Sequence, residues 1–184
     1  MIRLRQIEVP YEEIEKGMIK ELTKLGTPGL YQRAVLATSE NDNVTARRMR
    51  MIPDGLTLYC WTTRNTRKHK QISSNPNIAA VIGFVQVDGV ASLMNHPKDE
   101  VEFLELYKNH LPKAYEISMS HWHNVDYQLI EIKPNRISMY YNKGSVAESY
   151  LDVLDVTNKM AHRMLDMSTI QEDHTDAPAY TKST

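Results

Sequence analysis

Residues Ala34 to Ile52 read AVLATSENDNVTARRMRMI. Ala34–Thr38 is short, apolar and β-prone, which predicts a strand. Ser39–Asn43 (SENDN) is a cluster of turn formers. Val44–Ile52 alternates in character, so a second strand follows and pairs back on the first as a hairpin. Local pairing of this kind points to an antiparallel sheet, because parallel strands need a long crossover between them.

The same grammar continues on both sides. Pro53-Asp54-Gly55 is a turn and Leu56–Thr62 (LTLYCWT) a third strand. Asn65–Ser74 predicts a helix, with Asn65 or Thr66 as N-cap and Asn75-Pro76 closing it. Ile78–Val85 and Val85–Met94 read as two strands or one bent strand, with Gly83 and Gly89 as bulges or bends. His96-Pro97 opens a predicted helix to about Asn109, with Val101, Leu104 and Lys108 on one side. Val125–Ile132 and Arg136–Tyr141 predict two more strands around a Pro134-Asn135 turn. Upstream, Ile14, Met18, Leu22 and Leu25 recur at helical spacing, so Tyr11–Leu25 predicts an amphipathic helix, stopped by Gly26 and the Pro28-Gly29 turn. Ser149–Asp166 fits a helix and a hairpin equally. At least six short strands in hairpin-like runs, with three helices, favour a mainly β, antiparallel barrel with peripheral helices over a doubly wound sheet. Residues 1–170 form one expected domain. The last stretch, 171–184 (QEDHTDAPAYTKST), carries little apolar content and is expected on the surface or disordered.

Composition limits the function. The 184 residues suit one domain with a real core. Lys+Arg 22 against Asp+Glu 23 leaves a net charge of -1, a poor footprint for a general nucleic-acid binder. The lone cysteine, Cys60, sits in an apolar run and reads as a packing residue; no disulfide within the chain can form. The start, MIRLRQIEVPYEEIEKG, lacks the apolar core of a signal peptide, and no run is long enough to span a membrane. The expectation is a cytoplasmic protein.

Two basic clusters carry the chemistry. None of the 7 glycines makes a dinucleotide fingerprint or a P-loop, so any phosphate recognition must come from side chains. In TRNTRKHKQISSNP (63–76) the predicted helix start carries Thr66, Arg67 and Lys68. Cations there are unfavourable by roughly 0.3–1 kcal/mol each, a cost that a bound anion would reverse; a solvated basic face is the other reading. In VTARRMRMI, Arg47 and Met49 share one strand face while Arg48 and Arg50 share the other. Either this is an edge strand with solvated arginines, or one face meets a ligand.

The run from Ala34 to Ala91 resembles the pyridoxamine 5′-phosphate oxidase-like FMN-binding split-barrel family. AVLATSENDNVTARRMRMI has its strand–turn–strand entry with an Arg at the end. LTLYCWTT ends in its aromatic-Thr pair. TRKHKQISSNP has its Thr/Ser-Arg-Lys, then Gln-Ile, then Asn-Pro, and VQVDGVA is its strand with Gly before Ala. The match covers about a third of the chain.

This resemblance implies an FMN cofactor. Arg67 and Lys68 would hold its phosphate, Thr66 would supply a hydroxyl donor, and Arg47 would approach from the strand. Arg48, Met49, Arg50 and Met51 would line the isoalloxazine ring, partly through backbone, and Trp61 and Thr62 would add the next strand's contact. It also implies a homodimer with FMN at the interface and an oxidoreductase acting on a small molecule. Use of the deazaflavin F420, or a non-catalytic flavin- or haem-binding role, is possible on the same fold. The family's C-terminal Arg-x-His motif is not evident; Ala161-His162-Arg163 is a loose echo. His121-x-His123, placed on a strand, would put two imidazoles on one face, but no further ligand stands nearby in sequence, and no metal is expected. In KAYEISMS (113–120), Tyr115 and Glu116 read as packing or surface residues.

Overall fold

The link between two sheet edges, Arg50-Met51, organises the architecture. The structure is a computed structural model and describes residues 4–24, 34–142 and 149–166. Ten strands are all paired antiparallel: β1 (Leu4–Glu8), β2 (Ala34–Glu40), β3 (Asn43–Met49), β4 (Ile52–Asp54), β5 (Thr57–Thr63), β6 (Asn77–Ile82), β7 (Val85–Leu93), β8 (Tyr127–Tyr141), β9 (Tyr150–Asp155) and β10 (Met160–Asp166). The order is β1-β10-β9-β8-β7-β6-β2-β3, with β5 also pairing β8 and β4 pairing β5. β3 therefore ends one side of the barrel wall and β5–β4 the other. The chain steps across the gap through two residues, with no ladder between β3 and β5. This is a split barrel. Helices α1 (Tyr11–Thr23), α2 (Arg67–Ser74), α3 (Val101–His110) and α4 (Pro112–His121) pack around it.

The opening hairpin forms as expected with a longer first strand and a shorter turn, but its second strand stops at Met49 instead of Ile52, and Pro53 and Asp54, expected in a turn, belong to β4. Glu40 pairs with Asn43, so only Asn41 and Asp42 turn, at φ 48° and 64°. Positive φ at both positions matches the twist of a two-residue hairpin, and Asn and Asp tolerate it. The β6–β7 hairpin is closed by Gly83-Phe84, with Gly83 at φ 60°; Gly83 is a turn residue, not a bend inside a strand. Gly89 does mark a bulge. A Cβ there would lie 2.5 Å from the Lys133 carbonyl oxygen.

That bulge explains a correction. Pro134-Asn135 does not separate two strands: β8 runs unbroken for 15 residues. Pro134 stands opposite Gly89, where the ladder shifts register, so its missing N–H is tolerated. β8 becomes the spine of the fold. Its first half pairs β5, its second half β9, and both halves pair β7.

Other elements also differ. Residues 96–109 are not one helix: a single 3-10 turn at Pro97–Asp99 precedes α3. α3 buries Phe103 and Tyr107 and leaves Val101 67% exposed, so the inward face is offset from the expected one. α4 was not anticipated, nor was β1. The ambiguous stretch 149–166 is a hairpin, β9–β10. α1 buries Ile14, Met18 and Leu22, as its spacing predicts. Gly26, the Pro28-Gly29 turn and the 171–184 tail lie outside the described residues.

Two apolar clusters result. The larger fills the barrel and reaches under α1, with Met18, Leu36, Met51, Leu58, Cys60 and Ile132 fully buried. The smaller packs α3 and α4 against the outer face of β5, through Phe103, Tyr107, Trp122 and the half-buried Trp61. No helix among the described residues is long and apolar enough to cross a membrane.

Candidate functional site

α2 begins as the sequence predicts. Thr66 is its N-cap, with Oγ1 accepting from the His69 N–H at 3.4 Å. The same hydroxyl donates to the Thr63 carbonyl at 2.9 Å and lies 2.7 Å from Thr62 Oγ1. Thr66, expected as a hydroxyl donor, also shapes the loop. Arg67 and Lys68 occupy the first helical turn, where N–H groups and the helix dipole favour an anion.

Arg47 reaches the same place from β3. Its strand face turns inward, as the half-buried Thr45, Arg47 and Met49 show, while Val44, Ala46 and Arg48 are exposed. Its Nη1 donates to the Leu36 carbonyl at 3.1 Å and to Thr38 Oγ1 at 2.7 Å. Its Nη2 donates to Thr45 Oγ1 and, at 3.2 Å, to Gln71 Oε1. These acceptors are all neutral.

The charges on this cluster are in conflict. Burial lowers the Arg47 pKa from its ordinary value, and the nearby Arg67 lowers it further. Burial also lowers that of Lys68, with Arg47 adding to the effect. Among the described residues, no carboxylate lies within 4 Å of Arg47, Arg67 or Lys68; the ion pairs are elsewhere. Arg67 is exposed, but Arg47 and Lys68 are half-buried, and half-buried cations without a counter-charge are costly.

Beside them, Arg48, Met49, Arg50 and Trp61 line an open cavity of about 380 Å3 at the split between β3 and β5. Trp61 is held edge-on by Trp122 at 5.2 Å and packs on Tyr107 at 5.3 Å. Arg50 Nη1 donates to the Tyr107 hydroxyl at 2.9 Å, which lies 2.8 Å from Ser118 Oγ. One wall of the cavity is therefore closely packed.

The expected ring-lining set divides. Arg48, Met49, Arg50 and Trp61 come together at the cavity. Met51 does not: its side chain is fully buried in the barrel. Thr62 also points inward, on the strand face opposite Trp61, and is buried. Contact from either would be through backbone.

The histidine pair dissolves. His121 ends α4 and His123 lies in the following 3-10 turn, not on a strand. No group of three or more potential metal ligands is found among the described residues. Cys60 is fully buried, and burial pushes its thiol pKa up to about 12.

Sequence reading missed Gln71, which is buried yet bonded to four neighbours of the site. A signal was present: beside Ile72 on a short helix, a Gln at a buried position must be satisfied by something. Tyr107 was also missed, because the α3 face was misjudged.

The sequence profile of the family described as pyridoxamine 5′-phosphate oxidase matches residues 31–141. General stress protein 26 of Bacillus subtilis (strain 168) is 33% identical over 69 residues, which cover 33% of this chain and 49% of that protein. The match thus spans about half the length of that relative. Among solved structures, PhzG from Burkholderia lata 383, in complex with tetrahydrophenazine-1-carboxylic acid, is similar with a TM-score of 0.58 at 9% identity, over 87% of this chain and 93% of that one. A pyridoxamine 5′-phosphate oxidase-related, FMN-binding protein from Nostoc punctiforme PCC 73102 is similar with a TM-score of 0.55 at 14% identity, over 82% and 96%. At these identities the likeness is one of fold.

Proposed function

The chain belongs to the pyridoxamine 5′-phosphate oxidase family, and we propose that it is a flavoprotein which binds FMN and carries out oxidoreduction on a small molecule. One observation carries this reading: Arg47, Arg67 and Lys68 converge at the start of α2, and among the described residues no carboxylate pairs with them. A phosphate dianion is the ligand that turns this repulsion into binding. A bidentate contact from the exposed Arg67 suits it, as does the helix start, while Arg47, whose four Nη hydrogens are already taken, contributes its charge.

In this reading Arg67, Lys68 and Arg47 hold the phosphate, and Thr66 fixes the loop that presents the first two. Arg48, Met49, Arg50 and Trp61 form the surface for the isoalloxazine ring, with Met51 and Thr62 contributing backbone. A bound flavin supplies hydride or single-electron transfer. The protein's own part is to bind it, orient it and keep one side dry through the packed wall around Trp61. No residue is assigned as acid or base.

The reading includes a homodimer. The outer edge of β3 has no strand partner among the described residues, and the adjoining cavity is open. A second copy seated there would cover both.

The visible spectrum of the purified protein, followed by chromatography of the heat-released pigment, tests this. Released FMN supports the reading. F420 or haem would keep the fold and replace the cofactor. A colourless protein that fails to take up added FMN rejects it.

A further inference from the structure

We propose that Gln71 is the positioning residue of the phosphate site, acting through Arg47 to let the protein distinguish FMN from riboflavin. This rests on the phosphate role given above to the Arg47 cluster.

The geometry is a closed ring. Gln71 Oε1 accepts from Thr38 Oγ1 at 2.6 Å, Thr45 Oγ1 at 2.8 Å and Arg47 Nη2 at 3.2 Å. Thr38 and Thr45 each accept from Arg47 in turn, through Nη1 and Nη2. The other end of the amide, Nε2, donates to the Asn43 carbonyl at 3.2 Å. That carbonyl takes the NH2 end, and the guanidinium and hydroxyl donors take the oxygen, so the amide can sit only one way round. Gln71 is 2% exposed. It clamps helix α2 to both strands of the β2–β3 hairpin and aims the arginine at a fixed angle.

Neutrality is the second half of the argument. A Glu at this position would satisfy the same donors and would also neutralise Arg47 through a short ion pair. The Gln holds the guanidinium without cancelling its charge. Arg47 is thereby left as a positioned, uncompensated cation beside Arg67 and Lys68, which is the state that favours a phosphate dianion.

The test measures dissociation constants of the apo-protein for FMN and for riboflavin, and takes their ratio as phosphate selectivity. Wild type, Gln71→Met, Arg47→Met and the double variant form a cycle. Gln71→Met is expected to cut selectivity about tenfold, the scale of one charge-assisted hydrogen bond, with riboflavin affinity little changed. The double variant should be no less selective than Arg47→Met alone, because Gln71 acts only through Arg47. Full selectivity in Gln71→Met, or losses that simply multiply in the double variant, would overturn the proposal. Should Gln71→Met not fold by circular dichroism, Gln71→Glu gives the answer: selectivity should collapse while riboflavin still binds, and unchanged selectivity overturns the idea. A wild type that binds both ligands equally would instead remove the phosphate site on which the proposal stands.

Discussion

Arg163 on β10 meets Asp152 on β9 through two hydrogen bonds, Nε to Oδ1 at 2.6 Å and Nη2 to Oδ2 at 2.9 Å. The guanidinium also stacks on Tyr150, 4.2 Å from the ring centroid. Asp152 is 2% exposed. This arginine, the one that echoes a substrate motif in the sequence, is committed to a structural pair on the β9–β10 hairpin. Asp152→Ala would leave the half-buried guanidinium without its partner and should cost about 2–4 kcal/mol, read as a lower urea midpoint. Flavin affinity should not change.

Arg67→Ala with Lys68→Ala removes two of the three converging cations. FMN affinity should fall about 100-fold, or roughly 3 kcal/mol. Stability should hold or rise, because mutual repulsion is relieved. A double variant that purifies with full flavin would show that the phosphate lies elsewhere.

The binding should depend on pH with a worked sign. Lys68 is held below its usual 10.5 by burial and by Arg47. The unfolded chain therefore carries more protons in the window below 10.5, and the stability of the apo-protein should rise with pH across it. A bound phosphate restores the charged lysine, so FMN affinity should decline as pH climbs through the same window. At the acid end, protonation of the phosphate near pH ~6 weakens it again. Riboflavin titrated in parallel should show neither limb, and Lys68→Met should abolish the alkaline one.

Gly89→Ala places a methyl group 2.5 Å from the Lys133 carbonyl oxygen and 3.0 Å from Pro134 Cα. Both are backbone atoms on the spine strand, so the bulge must open. A loss of about 1–3 kcal/mol is expected on overpacking grounds, measured by thermal or denaturant unfolding.

Cys60 offers a probe of the barrel itself. With the thiol fully buried and its pKa pushed up to about 12 by that burial, a thiol reagent at pH 8 should react only as fast as the protein unfolds. Prompt labelling of the native protein would contradict the packing of β5 against β8.

Much of the fold was legible because its signals are local. The Asn41-Asp42 turn, the Thr66 cap and the Asn75-Pro76 stop each act within a few residues, and so does the 3.6-residue spacing of Ile14, Met18 and Leu22. The basic residues of the site were visible for the same reason. Elsewhere the outcome depended on partners distant in sequence. Pro134 lies within a strand because Gly89 faces it across the β7–β8 ladder. Val101 is exposed while Phe103 and Tyr107 are buried because β5 supplies an aromatic face for α3.

By itself, then, the sequence determined the opening β2–β3 hairpin, the capped helix and the two basic clusters, since short-range sterics and hydrogen bonding suffice for these. Tertiary structure alone decided that Arg47 meets Arg67 and Lys68 with no carboxylate partner among the described residues, that Met51 and Thr62 face the core, and that Gln71 closes the ring around Arg47. Those relationships join residues distant in sequence in a partly desolvated space, where the balance of charge and hydrogen bonding is set by which groups are brought together.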